Sequence, residues 1–450
     1  MTGGDTGVIV LAAGRGTRMR SALPKVLHPV CGMPMVAHIV GAARQLQPAR
    51  LAIVTGYRGD LVRAELREAG VDFVDQPELL GTADAVARCR EALEGCGTLV
   101  VLNGDTPLIR PGLLQGLVAT RGDAPFAFAS CVVEEPGRLG RVVRDGNGSV
   151  AGIVEAAEYS GPAGPAEINA GQYCFDAAWL WANLEKVPIS AKGEYYLTHL
   201  VAIAHEAGTP AVTVECDPLE ALGVDDRVRL AEAEREMRRR VLERHMLAGV
   251  TVQDPLTTYI DATVRIAEDV TILPNCHLVG ATVVDGNVAI GPGTTLRDAR
   301  IGEGSVVMSS VIEDSAVGVN VRIGPFAHVR GGAVIGDDCE LGNYAEVKNS
   351  RLGRGVKMHH FSYLGDADVG EYANIAAGII TCNFDGVRKH RTVIGAHAFV
   401  GSDTMLVAPV SVGEGAVTGA GSVVTKDIPP GAKAVGAPAR VIGKAHPAEE

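Results

Sequence analysis

Residues 317–347 read VGVNVRIGPFAHVRGGAVIGDDCELGNYAEV. Val317, Ile323, Val329, Ile335, Leu341 and Val347 recur at every sixth position, and Val317, Ile323, Ile335 and Leu341 each precede glycine. An apolar residue every six positions suits a coil that turns three times per ~18 residues, with one aliphatic side chain pointing inward on each side. Glycine after it has no Cβ, so neighbouring coils can approach closely. The register slips by one before Leu352, then Met358 and Leu364 continue at six. A second run follows at Ile394, Val400, Leu406 and Val412. Chance produces isolated Ile-Gly pairs but not this phase coherence.

Working outward, composition changes near residue 250. Residues 1–250 hold 26 Leu beside 36 Val plus Ile, whereas residues 251–450 hold 8 Leu beside 43 Val plus Ile. Leu suits helices and β-branched residues suit pleated backbone, so the first half is mixed and the second nearly all β. In the first half Val8–Leu11, Leu51–Thr55, Thr98–Leu102 and Phe126–Val133 read as strands. Pro34–Leu46, Gly59–Ala69, Ala83–Leu93 and Gly112–Thr120 read as helices between them. That alternation predicts an α/β domain on a mainly parallel sheet, whose ligands sit at the carboxyl ends of strands. The loops after Leu11 and Leu102 are therefore the places to search. Asp226–Ala248 is charge-dense and free of Gly and Pro, and predicts a solvated connecting helix. The Arg238–Arg240 run lies among Glu232, Glu234, Glu236 and Glu243, the alternation of an exposed helix face rather than a nucleic-acid patch.

The whole chain is 450 residues, with 41 basic against 53 acidic residues and a formal charge of -12, so no global field draws nucleic acid or anionic membrane. Aromatics are scarce at 4% and Gly reaches 56, which favours tight turns. The start, MTGGDTGVIVLAAG, has no basic segment or long apolar core, and no apolar run is long enough for a membrane span. Nine cysteines contain no C-x-x-C pair, which disfavours zinc and a disulfide framework. A cytoplasmic location is the expectation.

Leu11–Met19 reads LAAGRGTRM directly after a strand, with Lys25 following in LPKVLH. Gly14 and Gly16 let backbone amides approach phosphates, and Arg15, Arg18 and Lys25 add charge. The turn is neither a P-loop nor a dinucleotide fingerprint. Asp105 ends the strand TLVVLNGD; as a turn or helix-capping Asp it would be ordinary, but beside a triphosphate it suits Mg²⁺, a hard ion that takes carboxylate and phosphate oxygens.

These residues carry a resemblance. LAAGRGTRM, LPKVLH, Gln76, GTADA (81–85), NGDTPL (103–108), RLGRVV (138–143), IVEAAE (153–158), EINAG (167–171) and GEYYLT (193–198) resemble the sugar-1-phosphate nucleotidylyltransferases. Among these the chain is most similar to the bifunctional bacterial N-acetylglucosamine-1-phosphate uridylyltransferase/glucosamine-1-phosphate N-acetyltransferases, over nearly its whole length. The resemblance implies a Rossmann-like nucleotidylyltransferase domain (1–225), a linker helix (226–249) and a left-handed parallel β-helix of hexapeptide repeats (250–450). It implies that Leu11, Ala12, Ala13 and Gly14, with the catalytic cations Arg18 and Lys25, hold UTP phosphates. Gln76, Gly81 and Thr82 would read uracil; Asn103, Gly140, Glu155 and Asn169 would hold the acetamido sugar; Asp105 and Asp225 would hold Mg²⁺. Where the family usually has Asn, His and a larger residue, this chain has Asp225, Asp84 and Asn103.

The second half has its own polar constellation, Arg330, Lys348, His359, His360, Tyr363, Asn374, Asn383 and Lys389, more than coil packing needs. KMHHFSYLGDA and NIAAGIITCNFDG resemble the family's acetyltransferase motifs. By that match His360 is the general base that deprotonates the glucosamine amine before it attacks the acetyl-CoA thioester, a task for which an ordinary imidazole pKa near ~6.5 is suited. His359 would be structural. Arg330, Lys348, Tyr363 and Asn374 would bind glucosamine 1-phosphate. Ala377, Asn383, Phe384 (commonly Tyr), Ser402, Ala420 and Arg440 would line the acetyl-CoA site, Asn383 also reaching the sugar phosphate. The family assembles as homotrimers with the acyl site shared between subunits.

The expected activity is acetylation of glucosamine 1-phosphate followed by its coupling to UTP, yielding UDP-N-acetylglucosamine for cell-wall polymers. Two rivals are a monofunctional nucleotidylyltransferase with a non-catalytic β-helix and a non-catalytic scaffold. The Lys348, His360 and Tyr363 cluster speaks against the first, and intact Arg18, Lys25 and Asp105 against the second.

Overall fold

The computed structural model describes residues 5–156 and 158–444. They fall into two compact units, 1–237 and 238–450. The Arg227–Leu247 helix, with exposed ion pairs Arg229–Glu232 and Arg239–Glu243 at 3.0 Å, spans the boundary in sequence.

The first unit is a sheet in the order Val212–Glu215, Phe126–Val133, Ala166–Asp176, Thr98–Asn103, Thr6–Leu11, Arg50–Thr55 and Asp72–Asp75. Alternate residues of each strand feed separate cores. Val8, Val10, Val100 and Leu102 pack in one, whereas Ile9, Leu99 and Val101 pack in the other. A sheet buried on both faces needs unbroken apolar strands, which is why these read as continuous runs.

Most neighbouring strands are parallel, as the alternation predicts. One strand departs: Ala166–Asp176 runs antiparallel to both neighbours. It also carries the hairpin of Arg141–Arg144 and Val150–Val154. The expected Ala83–Leu93 helix is shorter. Regular helix covers Thr82–Ala87, after which three-residue turns (Arg90 N to Ala87 O, 3.2 Å; Cys96 N to Leu93 O, 3.2 Å) carry Cys89 and Leu93 into the core. The strand before Asp105 ends at Asn103, leaving Asp105 in the following turn.

The second unit is the coil that the six-residue phase predicts. Three sheets of 12, 10 and 9 strands form its faces. Val317, Ile335, Leu352, Val369, Ile394 and Val412 stack on one face. Ile323, Leu341 and Met358 stack on a second, and Val329, Val347 and Leu364 on the third. All twelve are at most 5% exposed, so the aliphatic column is the core. Corners use left-handed backbone, and Asp269, Asn287, Asn320 and Asp338 supply it where short polar side chains tolerate positive φ. Between Ile380–Cys382 and Thr392–Ile394 the chain leaves the coil as a small excursion, closed by a Phe384–Lys389 bridge and by His390 N donating to Asn383 O at 2.7 Å. That excursion is the gap between the two phased runs.

Candidate active sites

The two N-terminal loops singled out above lie side by side, because Leu11 pairs with Asn103 and Gly104 N donates to Leu11 O at 2.9 Å. They open on a cavity of about 440 Å³. Leu11, Ala13, Gly14, Lys25, Gln76, Gly81, Thr82, Asn103 and Asp105 line it, together with Arg15, Glu194 and Tyr196. Ala12 is instead buried beneath the loop, its N–H donated to Val54 O at 3.0 Å. Among the described residues the amides of Gly14 and Arg15 have no protein acceptor, which leaves them available to an anion. Gly16 bends the loop with φ +57, and a Cβ there would stand 2.5 Å from Lys25 Cβ, so only glycine lets the lysine stem pack against it.

Lys25 is the centre of the charge. Its ammonium donates to Asp105 and, at 3.0 Å, to Asp225 Oδ1; Arg18 Nη2 reaches the same Asp225 oxygen at 2.9 Å. Burial alone would lower the Lys25 pKa, but the two carboxylates outweigh it and hold the group above its ordinary value, fully charged. Val224 N donates to Asp105 O at 2.9 Å, tying the two carboxylate-bearing segments together.

On one side of the cavity, Gly81 and Thr82 are clamped to the Tyr195–Leu197 segment. Ala83 N donates to Tyr195 O at 2.9 Å, Tyr195 N to Leu80 O at 2.7 Å, and Leu197 N to Thr82 Oγ1 at 2.9 Å. The Glu194 and Tyr196 lining was legible only as the GEYYLT motif; nothing about the residues themselves marks them. Gly140, Glu155 and Asn169 lie near one another. Asn169 N donates to Gly140 O at 2.9 Å, and the Glu155 carboxylate stands 3.8 Å from where a Gly140 Cβ would be. Glu155 also accepts from Thr198 Oγ1 at 3.0 Å, and Asn169 Nδ2 donates to Tyr173 OH at 2.6 Å. Asn103 Nδ2 lies against Gly171.

In the second unit His360, Ala377, Ser402 and Ala420 occupy one position in four successive coils, each two residues after an inward residue (Met358, Ile375, Val400, Thr418). Coil-to-coil bonds at this corner run from Gly378 N to Phe361 O, Asp403 N to Ala377 O and Gly421 N to Ser402 O at 2.7–2.8 Å. His360 is exposed at the head of this column, while His359 is held by Glu340 at 2.9 Å. Arg330 and Lys348 share a position on consecutive coils. Arg330 pairs with Glu346, and Lys389 on the excursion, together with Arg330, lowers the Lys348 pKa, so three cations gather. Lys389 joins them through the excursion. Tyr363 OH and Asn383 Nδ2 meet over Gly365, and Asn383 donates to Asp366 at 2.5 Å. Asn374 stands on a different face, paired with Lys357 and Phe399, and Arg440 lies in the exposed terminal hairpin. Phe384 is exposed on the excursion.

Comparison with known proteins finds matches in both units. A MobA-like NTP transferase domain matches residues 8–164, a GMPPB C-terminal domain residues 258–352 and a six-repeat bacterial transferase hexapeptide residues 391–426. The bifunctional protein GlmU of Streptomyces avermitilis is 45% identical over 95% of this chain and 91% of its own length. That of Geobacillus sp. is 44% identical over 97% of this chain and 96% of its own. The chain belongs to the GlmU family. It is a bifunctional transferase of UDP-N-acetylglucosamine synthesis, uridylyltransferase and N-acetyltransferase in one polypeptide. Among solved structures, HddC from Yersinia pseudotuberculosis is similar at 20% identity and a TM-score of 0.40, over 51% of this chain and 99% of that one. Among the described residues no helix is long and apolar enough to cross a membrane.

Proposed function

We propose that the two GlmU activities divide at the sites described above, with residues 1–225 transferring uridylyl groups, 226–249 linking, and 250–450 transferring acetyl groups. The observation that carries the reading is the meeting of Arg18, Lys25, Asp105 and Asp225 in one ion-pair cluster, of which Lys25 and Asp105 line the cavity.

In the first site a phosphate oxygen of N-acetylglucosamine 1-phosphate attacks the α-phosphorus of UTP. A new P–O bond forms as the bond to the β-phosphate breaks, and pyrophosphate leaves. Anion meets anion, so fixed cations must offset the repulsion and no protein nucleophile is required. Lys25, Arg18 and the Gly14–Arg15 amides hold the phosphates; Gln76, Gly81 and Thr82 hold the uracil; Asn103, Gly140, Glu155 and Asn169 hold the acetamido sugar. Asp105 and Asp225 fit Mg²⁺, since both reach one ammonium and offer the hard oxygens that ion takes alongside phosphate. Bound there, it would supply further neutralisation of the triphosphate.

In the second site His360 takes a proton from the glucosamine 1-phosphate amine. The nitrogen attacks the thioester carbonyl of acetyl-CoA, the C–S bond breaks and the coenzyme leaves as thiol. Arg330, Lys348 and Lys389 bind the sugar phosphate with Tyr363, and Ala377, Asn383, Phe384, Ser402, Ala420 and Arg440 receive the coenzyme. Asn374 stands on another face from this cluster, so a homotrimer in which a second copy presents its Asn374 completes the site. The protein works in the cytoplasm on soluble substrates, without nucleic acid or membrane, and its product serves peptidoglycan and other wall polymers.

Assaying both substrate pairs tests the division. Lys25→Ala should lower uridylyl transfer at least ~100-fold and leave acetyl transfer intact; parallel loss of both would refute separate sites.

A further inference from the structure

Gln76 is 3% exposed yet lines the cavity, and its side-chain amide is held from two sides. Its Nε2 donates to Gly81 O at 2.9 Å and to Asp84 Oδ2 at 2.8 Å. Both partners can only accept, which determines which end of the amide is nitrogen. Asp84 Oδ2 is itself held by Arg88 Nε at 2.9 Å, and its side chain is 18% exposed. The Gln76 oxygen, Oε1, makes no hydrogen bond with protein among the described residues.

We propose that Asp84 is a positioning residue for base selection: by holding Gln76 Nε2, it leaves Oε1 as a fixed acceptor toward the nucleobase, so the site favours an imide base over cytosine. The inference rests on the reading that Gln76 contacts the base. An amide free to turn over offers a donor or an acceptor at similar cost and discriminates poorly. One locked with oxygen toward the ligand accepts from the N3–H of uracil. It opposes the N3 lone pair of cytosine, which has no proton there. A wrong match leaves two acceptors facing each other in a half-dry cavity, a buried unsatisfied pair that costs more than a missing bond.

Asp84 does this as an acceptor, not as a charge. Both donors, Gln76 Nε2 and Arg88 Nε, converge on one oxygen, so an asparagine presenting its Oδ1 there would serve equally. Alanine would remove the acceptor and leave Gly81 O alone to orient the amide.

The test is the ratio of uridylyl- to cytidylyl-transfer efficiency (kcat/KM with UTP over kcat/KM with CTP) in full-length protein, with acetyl transfer by the same samples as a check on folding. Asp84→Ala should narrow the ratio about tenfold, part from weaker UTP and part from improved CTP use. Asp84→Asn should keep the parent ratio within about twofold. A ratio unchanged in Asp84→Ala while Gln76→Ala narrows it would overturn the positioning role and leave the Gln76 contact standing. A Gln76→Ala variant with unaltered ratio and unaltered KM for UTP would overturn the underlying base contact. Equal loss of both nucleotides in Asp84→Ala, ratio preserved, would show a structural residue and refute the proposal.

Discussion

Lys25 and Asp225, 200 positions apart, meet at 3.0 Å beside the N-terminal cavity that Lys25 lines. The same Asp225 oxygen also takes Arg18 at 2.9 Å, so one carboxylate engages both side-chain cations assigned to the triphosphate. Where the family that the sequence resembles usually has a neutral Asn, this chain places a carboxylate on the same cations that the proposed phosphate site uses.

Asp225→Asn should therefore free Arg18 for phosphate and leave Lys25 held by Asp105 alone. Titration calorimetry in EDTA should find UTP bound several-fold tighter than in the parent, since partly exposed ion pairs contribute little each. Mg²⁺ dependence of uridylyl transfer should shift to higher metal concentration. Unchanged metal-free affinity would show that Asp225 does not compete.

His360→Ala should lower acetyl transfer by about 100-fold or more, the range of a lost general base, while uridylyl transfer from supplied N-acetylglucosamine 1-phosphate stays within twofold. His359→Ala, whose imidazole holds Glu340 rather than the open corner, should cost acetyl transfer far less. Equal losses in the two variants would remove His360 from its role.

Gly342→Ala tests the packing of the coil. A Cβ at Gly342 would stand 2.0 Å from His359 O and 2.8 Å from His359 Cα, backbone atoms that cannot swing aside. Thermal and urea unfolding should report a loss of about 3 kcal/mol, and acetyl transfer should fall because the displaced backbone leads into His360. Gly41→Ala, in the Met35–Arg44 helix with nothing within 4 Å, should instead stabilise by about 0.5–1 kcal/mol. Equal effects of the two would show that close coil approach is not what Gly342 supplies.

His245 should make the chain acid-sensitive. Burial first, and then the neighbouring Arg244 charge, push its pKa down to about 4, and its Nε2 is buried without a partner. The unfolded chain, with an ordinary imidazole, binds the proton more readily between about pH 6.5 and 4. Stability is therefore fully present above that window and falls as pH drops through it, by up to about 3 kcal/mol. His245→Gln should flatten that part of the stability–pH curve measured by urea unfolding. An unchanged slope would assign the acid sensitivity elsewhere.

Most of the coil was legible because its physics is local and repeated. Every sixth side chain must be inward, so Val317 through Val347 declare their faces without reference to anything distant. The parallel strands of the first unit were legible for a similar reason, as runs buried on both sides. Antiparallel Ala166–Asp176 was not, since strand direction depends on the route of the connecting chain rather than on the strand's residues. The site motifs were legible as types: cations after a glycine turn, a carboxylate after a strand. Ala12 shows the limit, since a residue inside a binding motif can serve by filling the floor beneath it.

Alone, the order of residues determined that this chain would hold a layered α/β unit and a six-residue coil, and which polar groups stood ready for phosphate and for an amine. Only the tertiary structure decided that Asp225 occupies both cations, that Asp84 turns the Gln76 amide, and that Lys389 joins Lys348 while Asn374 lies on another face. Periodic burial is written into neighbours along the chain, whereas pairing between charges depends on separations that folding alone creates.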